Sequence, residues 1–430
     1  MSAQLSMRDR RPHVVVVGAG FGWLTAAKAL ASADVRVTVI DRTNHHTFQP
    51  LLYQVATAGL SPSEIAQPIR GILGSQRNVT VRMAEASGVD LAGRRVHLVG
   101  SDDVAWDYLI VACGAETSYF GHDDWSRSAP GLKSVEDALS IRQRVLEAFE
   151  LAENDAVTGH PAQPPCLVVI GGGPTGVELA GALAELGRHV FRREFRGIDP
   201  SAAKILLLEA GPRILPSFSD DLSRSAVDQL ADLGVEVRTG ARVSAIEPGV
   251  VVLEHDRLAC SVVLWAAGVA ANPLTRRLGA PLDPTGRVVV ERDLSIPGHP
   301  HAFVIGDAAR FDGPDGHPLP GVSPVAMQQA RTVARSIRRG LRGEAPLPFA
   351  YVDKGQLATI GRVRAIAMVG RIHLSGFVAW MAWLLVHIFY LIGFKNRVVV
   401  MIVWAWSYLT YRRGSRLIVT PRSGLVYRDD

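Results

Sequence analysis

Val14-Val15-Val16-Val17 runs directly into Gly18-Ala19-Gly20-Phe21-Gly22, and Leu167-Val168-Val169-Ile170 runs into Gly171-Gly172-Gly173-Pro174-Thr175-Gly176. Each stretch reads as a buried parallel strand, a tight glycine turn and the start of an Ala/Leu-rich helix. Glycine lets backbone N–H groups approach a pyrophosphate, and the helix N-terminus then stabilises its charge. One such match is a weak signal. Two in one chain point to two dinucleotides, typically a flavin and a nicotinamide.

Outward from these loops, the spacing predicts an α/β chain with two Rossmann-like domains. Residues 1–120 read as the first part of a dinucleotide-binding domain, with a strand Arg36–Ile40 ending at Asp41, where a ribose-binding acid belongs. A strand Tyr108–Val111 follows, then the turn Ala112-Cys113-Gly114-Ala115. Residues 121–165 form a connector, a helix over Ser134 to Asn154 and a Pro-rich linker. The second dinucleotide domain covers 166–275, with Glu209 as its ribose-side acid after the strand Ile205–Leu208. A carboxylate there repels a 2′-phosphate and favours NADH over NADPH; the neighbouring Arg213 argues the other way. Arg188 to Ile198 lengthens the helix and loop between Gly171 and Glu209. The first domain resumes over 276–345, where Ala302–Ile305 is a strand feeding Gly306-Asp307, an acid placed to meet a ligand.

Residues 346–430 differ in character. Gly376 to Phe394 is 19 residues without a formal charge and Val398 to Tyr411 is 14 more, and four of the eight tryptophans (Trp380, Trp383, Trp404, Trp406) lie here. Length alone admits the first segment as a membrane span, but the second is too short to return. Apolar, aromatic-bearing helices with arginines just beyond favour a segment lying in one leaflet; a span or a buried oligomer interface are the alternatives. The net charge of +5 is carried by this end: Lys395, Arg397, Arg412, Arg413, Arg416, Arg422 and Arg428 against Asp429 and Asp430. A basic tail beside apolar sequence suits an anionic lipid surface, and with no basic stripe elsewhere the chain is not expected to bind nucleic acid. The polar, basic segment Met1 to Pro12 lacks the apolar core of a signal peptide. Three cysteines, Cys113, Cys166 and Cys260, form no CxxC pair, which argues against a redox dithiol, an iron–sulfur cluster or a zinc site and fits a reducing cytoplasm. His45-His46 lacks a third ligand at useful spacing, so no metal is expected.

Taken with both glycine loops and the Gly306-Asp307 motif, several stretches make the chain resemble the type II NADH:quinone oxidoreductases. They are Phe48-Gln49-Pro50-Leu51-Leu52-Tyr53-Gln54-Val55-Ala56, Gly173-Pro174-Thr175-Gly176-Val177-Glu178-Leu179, Trp265-Ala266-Ala267-Gly268-Val269, Asp353-Lys354-Gly355, and Val386-His387-Ile388 through Gly393-Phe394-Lys395-Asn396-Arg397. The resemblance implies a glutathione-reductase-like fold with a C-terminal membrane-associated helical segment. It implies FAD, NADH as donor, a membrane quinone as acceptor, no proton pumping, and peripheral attachment to the cytoplasmic face of the inner (plasma) membrane. It leaves a homodimer open. Gly18, Gly20, Asp41 and Asp307 are the expected flavin ligands; Gly171, Gly173, Gly176 and Glu209 those of NADH. Phe21, Gly22, Arg42, Gln54, Gly114, Gly306 and Gly268 complete the cofactor-binding set. Glu178 and Lys354 are the expected catalytic groups, Glu178 as a proton relay, and Gln328, Gln329 and Leu357 line the quinone side.

The chain departs from the pattern in places. Trp23 stands where the third fingerprint glycine falls, so its indole must displace the helix or point away. Cys113 replaces a threonine, Ser323-Pro324 replaces an Ala-Gln pair, and Ala330 occupies a frequent glycine position. Two other readings compete: a flavin-dependent NADH reductase of a small electron-carrier protein, for which no apolar tail is needed, and a non-catalytic flavin redox sensor. A disulfide reductase or a sulfide:quinone oxidoreductase would need paired cysteines.

Overall fold

The computed structural model describes residues 11–391, 394–410 and 414–418. In chain order, the elements that matter are β1 (His13–Val17), α1 (Phe21–Ala29), β2 (Arg36–Asp41), α2 (Leu52–Ala56), β3 (Val79–Met83), β4 (Tyr108–Val111), α3 (Val135–Val157), β5 (Cys166–Ile170), α4 (Pro174–Glu185), β6 (Lys204–Leu208), β7 (Val235–Arg238), β8 (Val262–Trp265), β9 (Ser295–Ile296) and β10 (His299–Val304). Then come α5 (Ser323–Gly340), β11 (Gln356–Gly361), β12 (Arg364–Val369), β13 (Ile372–Ser375), α6 (Phe377–Tyr390) and α7 (Phe394–Thr410). They sort into two compact units, both discontinuous in sequence.

The first unit comprises residues 1–47, 67–116 and 269–353. Its sheet, ordered β9–β10–β4–β1–β2–β3, is parallel except for the β9–β10 hairpin. A parallel sheet is covered on both faces, so its central strand is an apolar run: Val14, Val15 and Val16 of β1 are completely buried. Helix α1 packs chiefly against α5. Trp23 is wholly buried, and the close contact in this turn of α1 falls beside it, at Gly22. A Cβ on Gly22 would lie 3.0 Å from the Ile305 side chain. Pro324 is likewise accommodated: it occupies the first turn of α5, where the missing N–H had no partner to lose.

The second unit comprises residues 48–66, 117–268 and 354–430, so the Phe48–Ala66 segment and the connector over 121–165 both group here. Its parallel sheet is ordered β7–β6–β5–β8. Helix α3 is longer than the sequence suggests and starts from a capping box, in which Ser134 Oγ accepts the Asp137 N–H and Asp137 accepts the Ser134 N–H. Beyond Glu185, α4 continues into a π turn (Leu186–Val190) and a 3₁₀ turn (Phe191–Arg193), which accounts for the long interval between Gly171 and Glu209.

An antiparallel sheet, β11–β12–β13, follows. Ala365 and Ala367 of β12 bury Ala379 and Trp380 of α6. The apolar stretch from Gly376 is interrupted: Gly376 (φ +68°) caps α6 and Leu391 leaves it in an extended conformation. At 14 residues, α6 is about 21 Å long, short of a hydrocarbon core of about 30 Å. Among the described residues no helix is long and apolar enough to cross a membrane. Arg412, Arg413, Arg422, Arg428 and both terminal aspartates lie outside the described residues.

Candidate dinucleotide and quinone sites

In the first unit β1 delivers the chain into Gly18 at φ +109°, where a Cβ would lie 2.3 Å from the Ala112 carbonyl oxygen. Only glycine passes there. Gly20 is the N-cap of α1, and a Cβ on it would meet nothing within 4 Å. The opening lies at the positive end of the helix, whose first N–H groups have no partners of their own. Asp41 ends β2; its Oδ1 accepts the Thr43 N–H at 2.7 Å and the Thr43 hydroxyl at 2.6 Å. Burial pushes its carboxyl above the ordinary carboxylate range, with the Thr43 hydrogen bonds opposing. Arg42 faces Glu116 at 3.5 Å, and Gly114 turns the chain beyond β4 at φ +70°.

Gly306 (φ +68°) turns the chain after β10, and its N–H donates to Oε1 of the buried Gln329 at 2.7 Å. Asp307 follows with a carboxylate that accepts no hydrogen bond among the described residues. Gly321 lies against it, where a Cβ would come within 3.3 Å of the carboxylate. Gly306, Asp307, Thr285, Gly321 and Gln329 line a cavity of about 180 Å³. Gln328 is clasped to Val352, donating to its carbonyl at 2.9 Å and accepting its N–H at 3.0 Å. Both glutamines therefore hold backbone in place.

Sequence reasoning weighed His46 only as a metal ligand and missed its structural part. The ring is buried, its Nδ1–H donates to the Ala19 carbonyl at 2.7 Å, and the Phe21 and Trp23 rings meet it edge-on. Burial lowers its pKa to about 4. A neutral imidazole thus braces the first glycine loop.

The second unit repeats the device. Gly171 (φ +111°) would place a Cβ 2.5 Å from Ala266 and Ala267, and Gly176 would place one 1.8 Å from the Gly171 oxygen. Gly173, the N-cap of α4, opens onto space with nothing within 4 Å. The Glu209 carboxylate accepts N–H groups from Gly172 at 2.7 Å and Gly211 at 2.6 Å, which fixes it at the edge of the loop with lone pairs to spare. Arg213 is turned to other partners: the Pro216 and Phe218 carbonyls, each at 2.9 Å, and Asp220 at 2.7 Å.

Glu178 lies one turn into α4, half-buried. Its carboxyl is enclosed, and desolvation pushes it up to about 8, opposed by the Thr359 N–H of β11 at 3.4 Å. Sequence reasoning missed both Thr359 and the reason it is near: a Cβ on Gly181 would lie 1.6 Å from the Ile360 carbonyl oxygen, so β11 lies directly on α4. Glu185 continues this face of α4 and accepts the Arg362 N–H. Leu357, also on β11, packs against the Ala365–Trp380 cluster, while Lys354 is exposed. Gln54 on α2 donates to the Tyr53 hydroxyl and accepts the Trp404 indole N–H, both at 2.8 Å. Trp383 stacks on His387 at 4.3 Å.

Cys113, Cys166 and Cys260 are free thiols, and burial pushes Cys113 up to about 12 and Cys260 to about 11. They are poor nucleophiles at neutral pH.

Residues 12–330 match the pyridine nucleotide-disulphide oxidoreductase family model. The chain is 45% identical to the type II NADH:quinone oxidoreductase Ndh of Mycobacterium tuberculosis, covering 96% of this chain and 92% of that one. It belongs to the type II NADH:quinone oxidoreductases. A second M. tuberculosis protein of the family, NdhA, is 42% identical with 97% and 92% covered. Among solved structures, NDH2 of Plasmodium falciparum in complex with NADH superposes with a TM-score of 0.84 at 19% identity, covering 96% of this chain and all of that one. At that identity the likeness speaks for the fold. Membership in this family sets aside the carrier-protein reductase and sensor readings.

Proposed function

We infer that the protein oxidises NADH and passes two electrons through FAD to a membrane quinone without pumping protons. The observation that carries this is the pair of glycine cradles in a chain of this family, each with an acid at the end of the next strand. FAD, when bound, supplies the relay between a two-electron hydride donor and the quinone. Gly18, Gly20 and the N-terminus of α1 would hold its pyrophosphate, Asp41 its adenosine ribose, and Asp307, whose carboxylate has no donor among the described residues, a further hydroxyl. Phe21, Gly22, Arg42, Gly114 and Gly306 shape that site. His46 fixes the loop from beneath, and Gln329 holds Gly306 so that Asp307 projects into the cavity.

Gly171, Gly173, Gly176 and the N-terminus of α4 hold the NADH pyrophosphate, with Gly268 beyond β8. Glu209 takes the ribose hydroxyls, and with Arg213 already paired nothing in that loop compensates a 2′-phosphate, which favours NADH over NADPH. Glu178 is the proton donor for quinone reduction: with its pKa raised to about 8 it is protonated at neutral pH and can release that proton. In the second unit, Lys354 and Leu357 belong to the quinone side. The exposed apolar face of α6, with the basic tail beyond, lies on an anionic lipid surface, at the cytoplasmic face of the plasma membrane.

Anaerobic stopped-flow absorbance on the purified membrane-bound protein tests the assignment. NADH should bleach the flavin rapidly and a short-chain quinone should restore it fully. Bleaching without restoration would remove the quinone from the reaction.

A further inference from the structure

Phe120 is a costly residue with no counterpart in the mechanism above. It is 68% exposed, and its backbone sits at φ +53°, a left-handed conformation that is unfavourable for a residue with a Cβ. The arm that presents it is firmly held. The Ser118 N–H donates to the Gly268 carbonyl at 3.1 Å, the Trp265 indole N–H donates to the Ser118 carbonyl at 2.8 Å, and the Phe120 N–H donates to the Ser118 hydroxyl at 3.3 Å. Gly121 completes the turn at φ +93°. Beneath the arm lies a buried aromatic base of Tyr119, Trp125 and Trp265.

All this aims the ring at one place. A Cβ on Gly268 would lie 2.5 Å from Phe120 Cζ, so the ring edge fills the space a side chain there would take. Gly268 follows β8, which neighbours β5 on the side opposite β6 and Glu209. A dinucleotide with one ribose at Glu209 and its pyrophosphate at the Gly171–Gly173 turn extends its second nucleoside toward β8. Given that this unit holds NADH, that nucleoside carries the nicotinamide.

We propose that the Phe120 ring is a gate over Gly268 that the incoming nicotinamide must displace. The adenosine half binds without disturbing it. A gate that is open about a tenth of the time raises the apparent Kd for the gated ligand about tenfold over its intrinsic value.

The test is equilibrium binding to the oxidised holoenzyme of NAD⁺, which has the nicotinamide, and of ADP-ribose, which lacks it. Wild type is compared with Phe120→Ala and with Phe120→Gly, which also relieves the φ. Both variants should bind NAD⁺ about tenfold more tightly while their affinity for ADP-ribose stays within about twofold. An unchanged NAD⁺ to ADP-ribose ratio would overturn the gate, and so would weaker NAD⁺ binding, which would make the ring a stacking partner. Failure of wild type to bind either nucleotide would overturn the NADH assignment of this unit, and the gate with it.

Discussion

At the scale of the residue, Glu209 and Glu178 are the same chemistry in different surroundings. Glu209 is fastened by two backbone amides, whereas Glu178 is enclosed with one long hydrogen bond from Thr359. Desolvation therefore dominates at Glu178 and favours the neutral acid. No charged group contributes to that shift; Glu185, two turns on, is engaged by the Arg362 N–H. Glu178→Gln should slow reoxidation of the reduced enzyme by quinone about a hundredfold at pH 7 and leave reduction by NADH nearly intact. The wild-type reoxidation rate should fall as pH rises through about 8, and that limb should vanish in the variant. Stability runs the same way. A carboxyl whose pKa is raised from 4.5 to about 8 on folding contributes stability that is complete below 4.5 and is lost as pH rises through 8. Wild type should thus lose melting temperature relative to Glu178→Gln across that window.

At the scale of the element, the contact of β11 with α4 depends on the missing side chain at Gly181. An added methyl there would collide with the Ile360 carbonyl, and overpacking of this kind costs about 1–3 kcal/mol. Gly181→Ala should lower the melting temperature accordingly. By parting β11 from α4 it should also rehydrate Glu178 and move the alkaline limb of quinone reduction to lower pH. A melting-temperature loss with an unmoved limb would separate packing from proton chemistry. This contact was illegible in the sequence, because Gly181 sits in a run of alanines and leucines and its partner is about 180 residues away. By contrast β1, β5 and their glycine turns were plain, since fully buried parallel strands are continuous apolar runs and the turn glycines are dictated by φ. Arg213 illustrates the same divide. Its place beside Glu209 was visible, but its capture by Asp220 and two carbonyls depends on how the loop closes. Trp23 looked like an obstacle because the fingerprint was read at fixed spacing; the structure moves the close approach one residue earlier, to Gly22.

At the scale of the molecule, the described apolar helices are too short to span a bilayer, yet they leave large side chains in water. Phe377, Leu385 and Phe389 on α6 are 60%, 62% and 67% exposed. Burying a side chain of this kind contributes about 1.5–3 kcal/mol. Phe377→Ser and Phe389→Ser should therefore each weaken sedimentation with anionic lipid vesicles by about tenfold or more, with NADH oxidation by a water-soluble quinone largely retained. Undiminished sedimentation would mean that another face meets the lipid.

The interleaving of the two units also bears on how the chain is made. Neither unit is a continuous stretch: the first is complete in sequence only at residue 353, and the second needs the segment after it. Strand β4 pairs with β1 on one edge, but its other edge waits for β10, nearly 190 residues later. At about 5–20 residues per second of synthesis that wait is roughly 10–40 s, with Leu109, Ile110 and Val111 on an open parallel edge of the kind that pairs with other chains. Helices α6 and α7 emerge later still. The nascent protein must therefore be kept from aggregating until its last third has left the ribosome.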